Sequence, residues 1–161
     1  MASRRKARIL AFQALYFWES NRVLPASPKD RSFQVPVEEL ISFAWLEENK
    51  RKTLNEEMSV FARALIAGAV ENIKEIDALI QKHLDNWDIS RLNRVDLAIL
   101  RMSVYTLLYQ TDIPPSIVID EAIGICREFG ADDSYKFVNG VLDSIRKALQ
   151  ERKKSDEQGK K

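Results

Sequence analysis

Apolar residues recur at intervals of three and four along almost all of this chain, and that period limits its fold more than any other feature. Five glycines and five prolines in 161 residues leave few places for such a pattern to break. From Glu56 to Leu84 the positions Met58, Phe61, Leu65, Ala69, Ile73, Ile76, Ile80 and Leu84 trace one stripe, predicting one bent helix or two, with Gly68 as the joint. Leu92 to Tyr109 carries Val95, Ile99, Met102 and Leu107 or Leu108, and must end before Pro114-Pro115. A further helix is expected from Ser116 to Phe129, stopped at Gly130 by a left-handed cap. The last starts near Asp132 or Asp133 and runs to about Gln150.

Between the first helix and the long stripe, Leu24 to Phe33 has the prolines and polar residues of a loop, and Val37 to Glu48 reads as helix again. The run "EENKRKTLNEE" is read as a solvated connection, and "ERKKSDEQGKK", residues 151–161, as a disordered tail short of apolar groups. No strand pattern competes. The prediction is an all-α fold, a compact single-domain bundle of about six or seven helices spanning residues 1–150, with 24–55 as a loop-and-helix insert.

A chain of this length can bury one core unaided. With 25 basic against 24 acidic side chains the net charge is +1, so overall charge does not indicate a polyanionic partner and only local patches can. One cysteine, Cys126, rules out an internal disulfide and any multi-cysteine metal site, and points to a reducing compartment, the cytoplasm. The basic start and apolar run imitate a secretory signal. Four aromatics in the run, Glu19, Asn21 and Arg22 directly after it, and the lack of a small-residue cleavage site argue against one.

That opening, "SRRKARILAFQALYFWES", places Arg4, Arg5, Lys6 and Arg8 within five positions and then runs from Ile9 to Trp18 with Gln13 as its one plainly polar group. On a wheel of about 100° per residue this helix is apolar nearly all round, so it belongs inside, with its charged first turns projecting like a handle. Cations at a helix N-terminus oppose the macrodipole by ~0.3 to 1 kcal/mol each. The fold gains nothing from them there, which favours a phosphate-binding arm over ordinary solvated charge.

A second constellation is "FGADDSYKFVNGVLDSI", residues 129–145. Val138, Val141, Leu142, Ile145 and Leu149 fall on one core stripe, while Phe137 lies about 100° away, flanked by Asp133, Lys136 and Gly140. Phe137 either packs under the neighbouring loop or forms a stacking platform, with Lys136 on a nucleic-acid backbone and Asp133 accepting from a base edge or fixing the loop. Gly140 permits a close approach by either a ligand or another helix. The single histidine, His83, has no second imidazole and reads as a packing residue; Cys126, in step with Ile119, Ala122 and Ile123, reads as core. No glycine-rich phosphate loop or nucleophile elbow is present, and no catalytic residue, metal site or cofactor is expected.

The same stretches carry a resemblance. "SRRKARILAFQALYFWE", "ARALIAGAVEN", "NRVDLAILRMSVYTLLY" and "DIPPSIVIDEAIGICREFGADDSYKFVNGVLDSI", with "KFVNGVLD" and "VIDEAI" the most specific parts, resemble the NusB family of bacterial transcription antitermination factors in family order. The resemblance implies an all-helical RNA-binding protein that pairs with the ribosomal protein NusE. The pair would recognise single-stranded boxA-type RNA, notably in ribosomal RNA leaders, and help load the antitermination complex onto RNA polymerase. It also implies RNA contacts at Arg4, Arg5, Lys6 and Arg8 and at Asp133, Lys136 and Phe137, and a role for Tyr16, which the wheel equally allows in the core.

The 24–55 stretch is longer than is usual in that family. Thr106 and Tyr135 depart from its pattern and are expected to alter the partner-facing surface, placed on the outer faces of the 92–109 and 116–129 helices. Two other readings stand beside this one. One is a relative of the RNA-binding module of ribosomal RNA cytosine methyltransferases. The other is a helical interaction protein that homodimerises through the arm.

Overall fold

The computed structural model describes residues 2–22 and 35–159, and among them every regular element is helical. The predicted loop Leu24–Phe33 lies outside the described residues. The elements are α1 (Ala2–Arg22), α2 (Val37–Ile41), α3 (Glu48–Arg51), α4 (Glu56–Glu71), α5 (Ile73–Lys82), a 3-10 turn (Ile89–Arg91), α6 (Arg94–Tyr109), α7 (Pro115–Phe129) and α8 (Ser134–Gly159). Eight α-helices among the described residues exceed the six or seven expected, because the 56–84 stripe divides and the run "EENKRKTLNEE", read as a solvated connection, holds the short α3, while the predicted 37–48 helix shortens to α2.

Local chemistry sets the starts. Asn55 and Asn93 cap α4 and α6, their side-chain oxygens accepting from the backbone N–H of Met58 and Val95 at 2.8 Å. Pro115 opens α7, where a missing N–H costs nothing. The joint between α4 and α5 is Asn72, not Gly68. Asn72 leaves helical geometry and its side chain donates to the Gly68 carbonyl at 2.8 Å. Gly68 is required for another reason: a Cβ there would lie 2.1 Å from the Tyr105 ring, so its absence lets α4 meet α6. Nor is Gly130 left-handed; its backbone is extended, at φ −91° and ψ 177°. A Cβ at Gly130 would press on the Cys126 carbonyl oxygen at 2.7 Å, which explains the glycine without a positive φ.

Helix α6 is the axis of the bundle. It packs against α1, α4, α5, α7 and α8, and its residues from Asp96 to Val104 are all buried. The sequence stripe recognised one face of a helix that is enclosed on nearly every side. Enclosure corrects the expectation for Thr106, which is 3% exposed and donates its hydroxyl to the Met102 carbonyl at 3.2 Å, so it cannot face a partner. Only the two ends of α6 reach the surface, at Arg94 and at Tyr109.

A polar cluster lies within the bundle. Arg101 on α6, 3% exposed, donates through Nε and Nη2 to both carboxylate oxygens of Asp77 at 2.9 and 2.8 Å. Its Nη1 donates to Glu19 at 2.8 Å, and the guanidinium lies over the Trp18 ring. Burial works against this charge, but Asp77 and Glu19 outweigh it and hold the guanidinium above its ordinary pKa. Three helices, α1, α5 and α6, are thereby pinned at one point.

The C-terminal segment is also corrected. Helix α8 continues to Gly159, and residues 151–159, expected to be disordered, are helical and exposed. No helix among the described residues is long and apolar enough to cross a membrane.

Candidate nucleic-acid interface

The basic arm is the first two turns of α1, and it does not project past the body. It lies between α4 and α7. Arg4 and Arg8 both sit over the Phe61 ring of α4, 5.4 Å from its centroid. Arg8 is 8% exposed and 3.8 Å from Glu121 of α7, which opposes the burial that lowers its pKa; neighbouring Arg4 lowers it further. Arg5 reaches Glu128 at 3.4 Å across a surface where both side chains are about half exposed. A Cβ at Gly124 would sit 3.0 Å from Arg5 Nη1, so that glycine lets the arm lie along α7. Arg4, Arg5 and Lys6 remain exposed. Arg8 is the member of the set that the fold has taken in.

Tyr16 is not core. It is 41% exposed and falls on the same α1 face as Arg5 and Phe12. Phe12 in turn packs on Phe129, the last residue of α7, with ring centroids 5.2 Å apart. Phe129 is itself partly open to solvent. Directly after it the chain turns through Gly130 into α8, whose first turns carry the second constellation.

There, Asp133 and Lys136 are both exposed and 3.7 Å apart. Phe137 is half-buried: it packs against the core on one side and lines an open groove of about 550 Å³ on the other. The ring therefore packs on the core and still leaves one side open to the groove. Tyr135, the departure from the family pattern, is half-buried under the Arg127 guanidinium, 4.7 Å from its centroid.

The two constellations lie on either side of the C-terminal turn of α7, which Arg5 touches through Glu128 and after which the chain runs through Gly130 to Asp133 and into α8 at Ser134. Beneath this junction Asp96 is buried, its carboxyl pKa raised by burial and only partly relieved by the hydroxyl of Ser134, which donates at 3.2 Å. Its second oxygen has no hydrogen-bond partner. Cys126 is buried beside it and its thiol is pushed up to about 12, chiefly by burial and then by Asp96, so it is core and unreactive.

Sequence reasoning missed Phe129 and Trp87. Trp87 is 55% exposed, and the signal for it was present: a large aromatic alone in the polar run "DNWD". What the assembled surface can do chemically is hold phosphates with exposed cations beside aromatic faces and a carboxylate able to accept from base edges.

Residues 5–147 match the model of the NusB family. The chain is 50% identical over 143 residues to the transcription antitermination protein NusB of Treponema denticola, covering 89% of this chain and 95% of the relative. It is 47% identical to that of Treponema pallidum, covering 90% and 93%. Among solved structures it resembles T. maritima NusB, with a TM-score of 0.70, 37% identity and 89% and 90% of the two chains covered. It also resembles a chain in a crystal structure of antitermination factors NusB and NusE in complex with double-stranded RNA, with a TM-score of 0.71, 30% identity and 92% and 98% covered. Sequence along nearly the full length and an all-helical fold centred on α6 agree, and the chain belongs to the NusB family.

Proposed function

We propose that this chain is a non-catalytic, cytoplasmic RNA-binding antitermination factor. Together with NusE it binds boxA-type RNA as a single strand and helps assemble the antitermination complex on RNA polymerase, notably on ribosomal RNA operons. The contacts to RNA are made by Arg4, Arg5 and Lys6 on phosphates, by Phe137 stacking on a base, and by Lys136 and Asp133 beside it. Tyr16 extends the surface along α1. Arg8 serves instead to fix the arm, through Phe61 and Glu121.

The observation that carries this reading is that exposed Arg5 of α1 reaches the last turn of α7, while the half-open ring of Phe137 stands on the first turn of α8, the next helix in the chain. Single-stranded RNA suits it because an unstacked base offers the π-face that Phe137 can meet, whereas a base inside a duplex does not.

The test is a binding series with boxA-type RNA against scrambled RNA, single-stranded and duplex, with and without NusE. Tighter binding of single-stranded boxA, strengthened by NusE, is expected. With three or four phosphates neutralised, log affinity should fall against log salt with a slope of about −2 to −3. Phe137→Ala should cost about 1 to 3 kcal/mol of binding, together with some melting temperature, because the ring also packs against the core. A flat salt response, or equal affinity for scrambled RNA, would defeat the reading.

A further inference from the structure

The groove that exposes Phe137 has a second wall. It runs between α8 and the end of α5 with the segment after it, and its lining includes Lys82, His83, Asp85, Trp87, Lys136, Phe137 and Gly140, so two lysines outnumber one carboxylate. Nothing would lie within 4 Å of a Cβ added at Gly140, so its floor is open space and that glycine is not there for helix packing.

Trp87 is held in this wall by its backbone rather than by packing of its ring. Gln81 Nε2 donates to the Trp87 carbonyl at 2.7 Å, while Gln81 Oε1 accepts from the Ile89 N–H at 2.8 Å, so one side chain clamps both sides of the loop. Asn86 before it is left-handed, at φ 62°, and Asp88 after it caps the 3-10 turn through the Ser90 N–H at 2.8 Å. Across the groove His83 Nδ1 and Ser144 Oγ are joined at 2.7 Å, tying the end of α5 to α8 and fixing its width. A rigidly presented backbone carrying a largely solvated indole is the arrangement of a loop that meets a ligand.

We propose that this groove is a second nucleobase site, in which Trp87 stacks on a base of the same single strand that meets Phe137, with Lys82 and Lys136 taking the phosphates on either side. The proposal rests on the RNA-binding reading above. Two rings and two cations on one open groove suit successive nucleotides of a flexible strand, because any base presents a π-face and each link carries one charge. RNA length is thereby read: an oligonucleotide too short to span both rings loses the Trp87 contact.

Fluorescence anisotropy with a labelled boxA-type 12-mer, and with the same RNA shortened by two nucleotides from either end, tests it in Trp87→Ala, Trp87→Phe and Phe137→Ala. Trp87→Ala should bind the 12-mer about 5- to 100-fold more weakly. Trp87→Phe should recover most of that loss. One of the two truncations should weaken the unsubstituted protein but not Trp87→Ala, which has already lost the contact. Unchanged melting temperature in Trp87→Ala is the control for folding, and a melting loss matching the affinity loss would overturn the site. If Phe137→Ala weakens binding while Trp87→Ala does not, the second site is wrong and the RNA-binding reading stands. If the unsubstituted protein binds neither boxA nor scrambled RNA, both fall.

Discussion

Replacing Arg101 by methionine keeps most of its length and apolar stem while removing its charge, so it isolates the ion cluster at the meeting of α1, α5 and α6. Three charge-assisted hydrogen bonds of 2.8 to 2.9 Å are lost. The Asp77 and Glu19 carboxylates are left close together without the guanidinium that joined them. Breaking a buried pair by removing one partner costs about 3 to 5 kcal/mol. Solvent reaches the acidic side chains to 27% and 17%, which favours the lower end, about 3 kcal/mol. For a domain of this size each kcal/mol is worth about 2 to 4 °C, so the melting temperature should fall by about 6 to 12 °C. Thermal unfolding followed by circular dichroism measures this directly. A cycle with Asp77→Asn separates the pair from its surroundings: the double variant should be less destabilised than the sum of the singles by about 1 to 3 kcal/mol. A loss below about 1 kcal/mol, or simple additivity, would mean that the cluster behaves as an exposed salt bridge, and the reading of it as a three-helix pin would be wrong.

Gly68→Ala should destabilise, although alanine is the better helix former by about 1 kcal/mol, because the new methyl must displace the Tyr105 ring at an overpacking cost of about 1 to 3 kcal/mol. In a Tyr105→Ala background the same substitution should become stabilising, and denaturant midpoints check the reversal. Asp96→Asn tests the buried carboxyl. Its folded pKa is raised, so its contribution favours the fold at acid pH and is lost as pH rises through the folded value. The asparagine variant should therefore gain melting temperature over the natural protein at neutral pH, with the gain shrinking as the pH falls through the raised folded value and gone below the ordinary carboxylate range.

Helix existence was legible in the sequence because the 3.6-residue period and the glycine and proline punctuation act within each segment. What surrounds each segment was not. The stripe from Val95 to Leu108 showed one apolar face of α6, yet Asp96, Arg101, Ser103 and Thr106 on its other sides are buried too, each serving a neighbouring element that a single wheel cannot place. Arg101 reads as a surface residue in "AILRMSV" until Glu19 and Asp77, 82 and 24 positions away, are brought to it.

The same blindness to neighbours affected the arm. Four cations at a helix N-terminus argue from the macrodipole that the fold gains nothing from them. In the folded chain Glu121, Glu128 and the Phe61 ring supply local compensation for Arg4, Arg5 and Arg8. The cations are therefore partly structural, and the case for phosphate binding rests on those left exposed, not on the count. The C-terminal run errs in the opposite direction. "ERKKSDEQG" lacks the apolar content to fold alone, but Glu, Arg, Lys and Gln are good helix formers, and α8 is already nucleated and packed from Val138 to Ile145. Extending an existing helix carries no new nucleation cost, so a segment that composition marks as unable to pack can still be helical when it follows one that does.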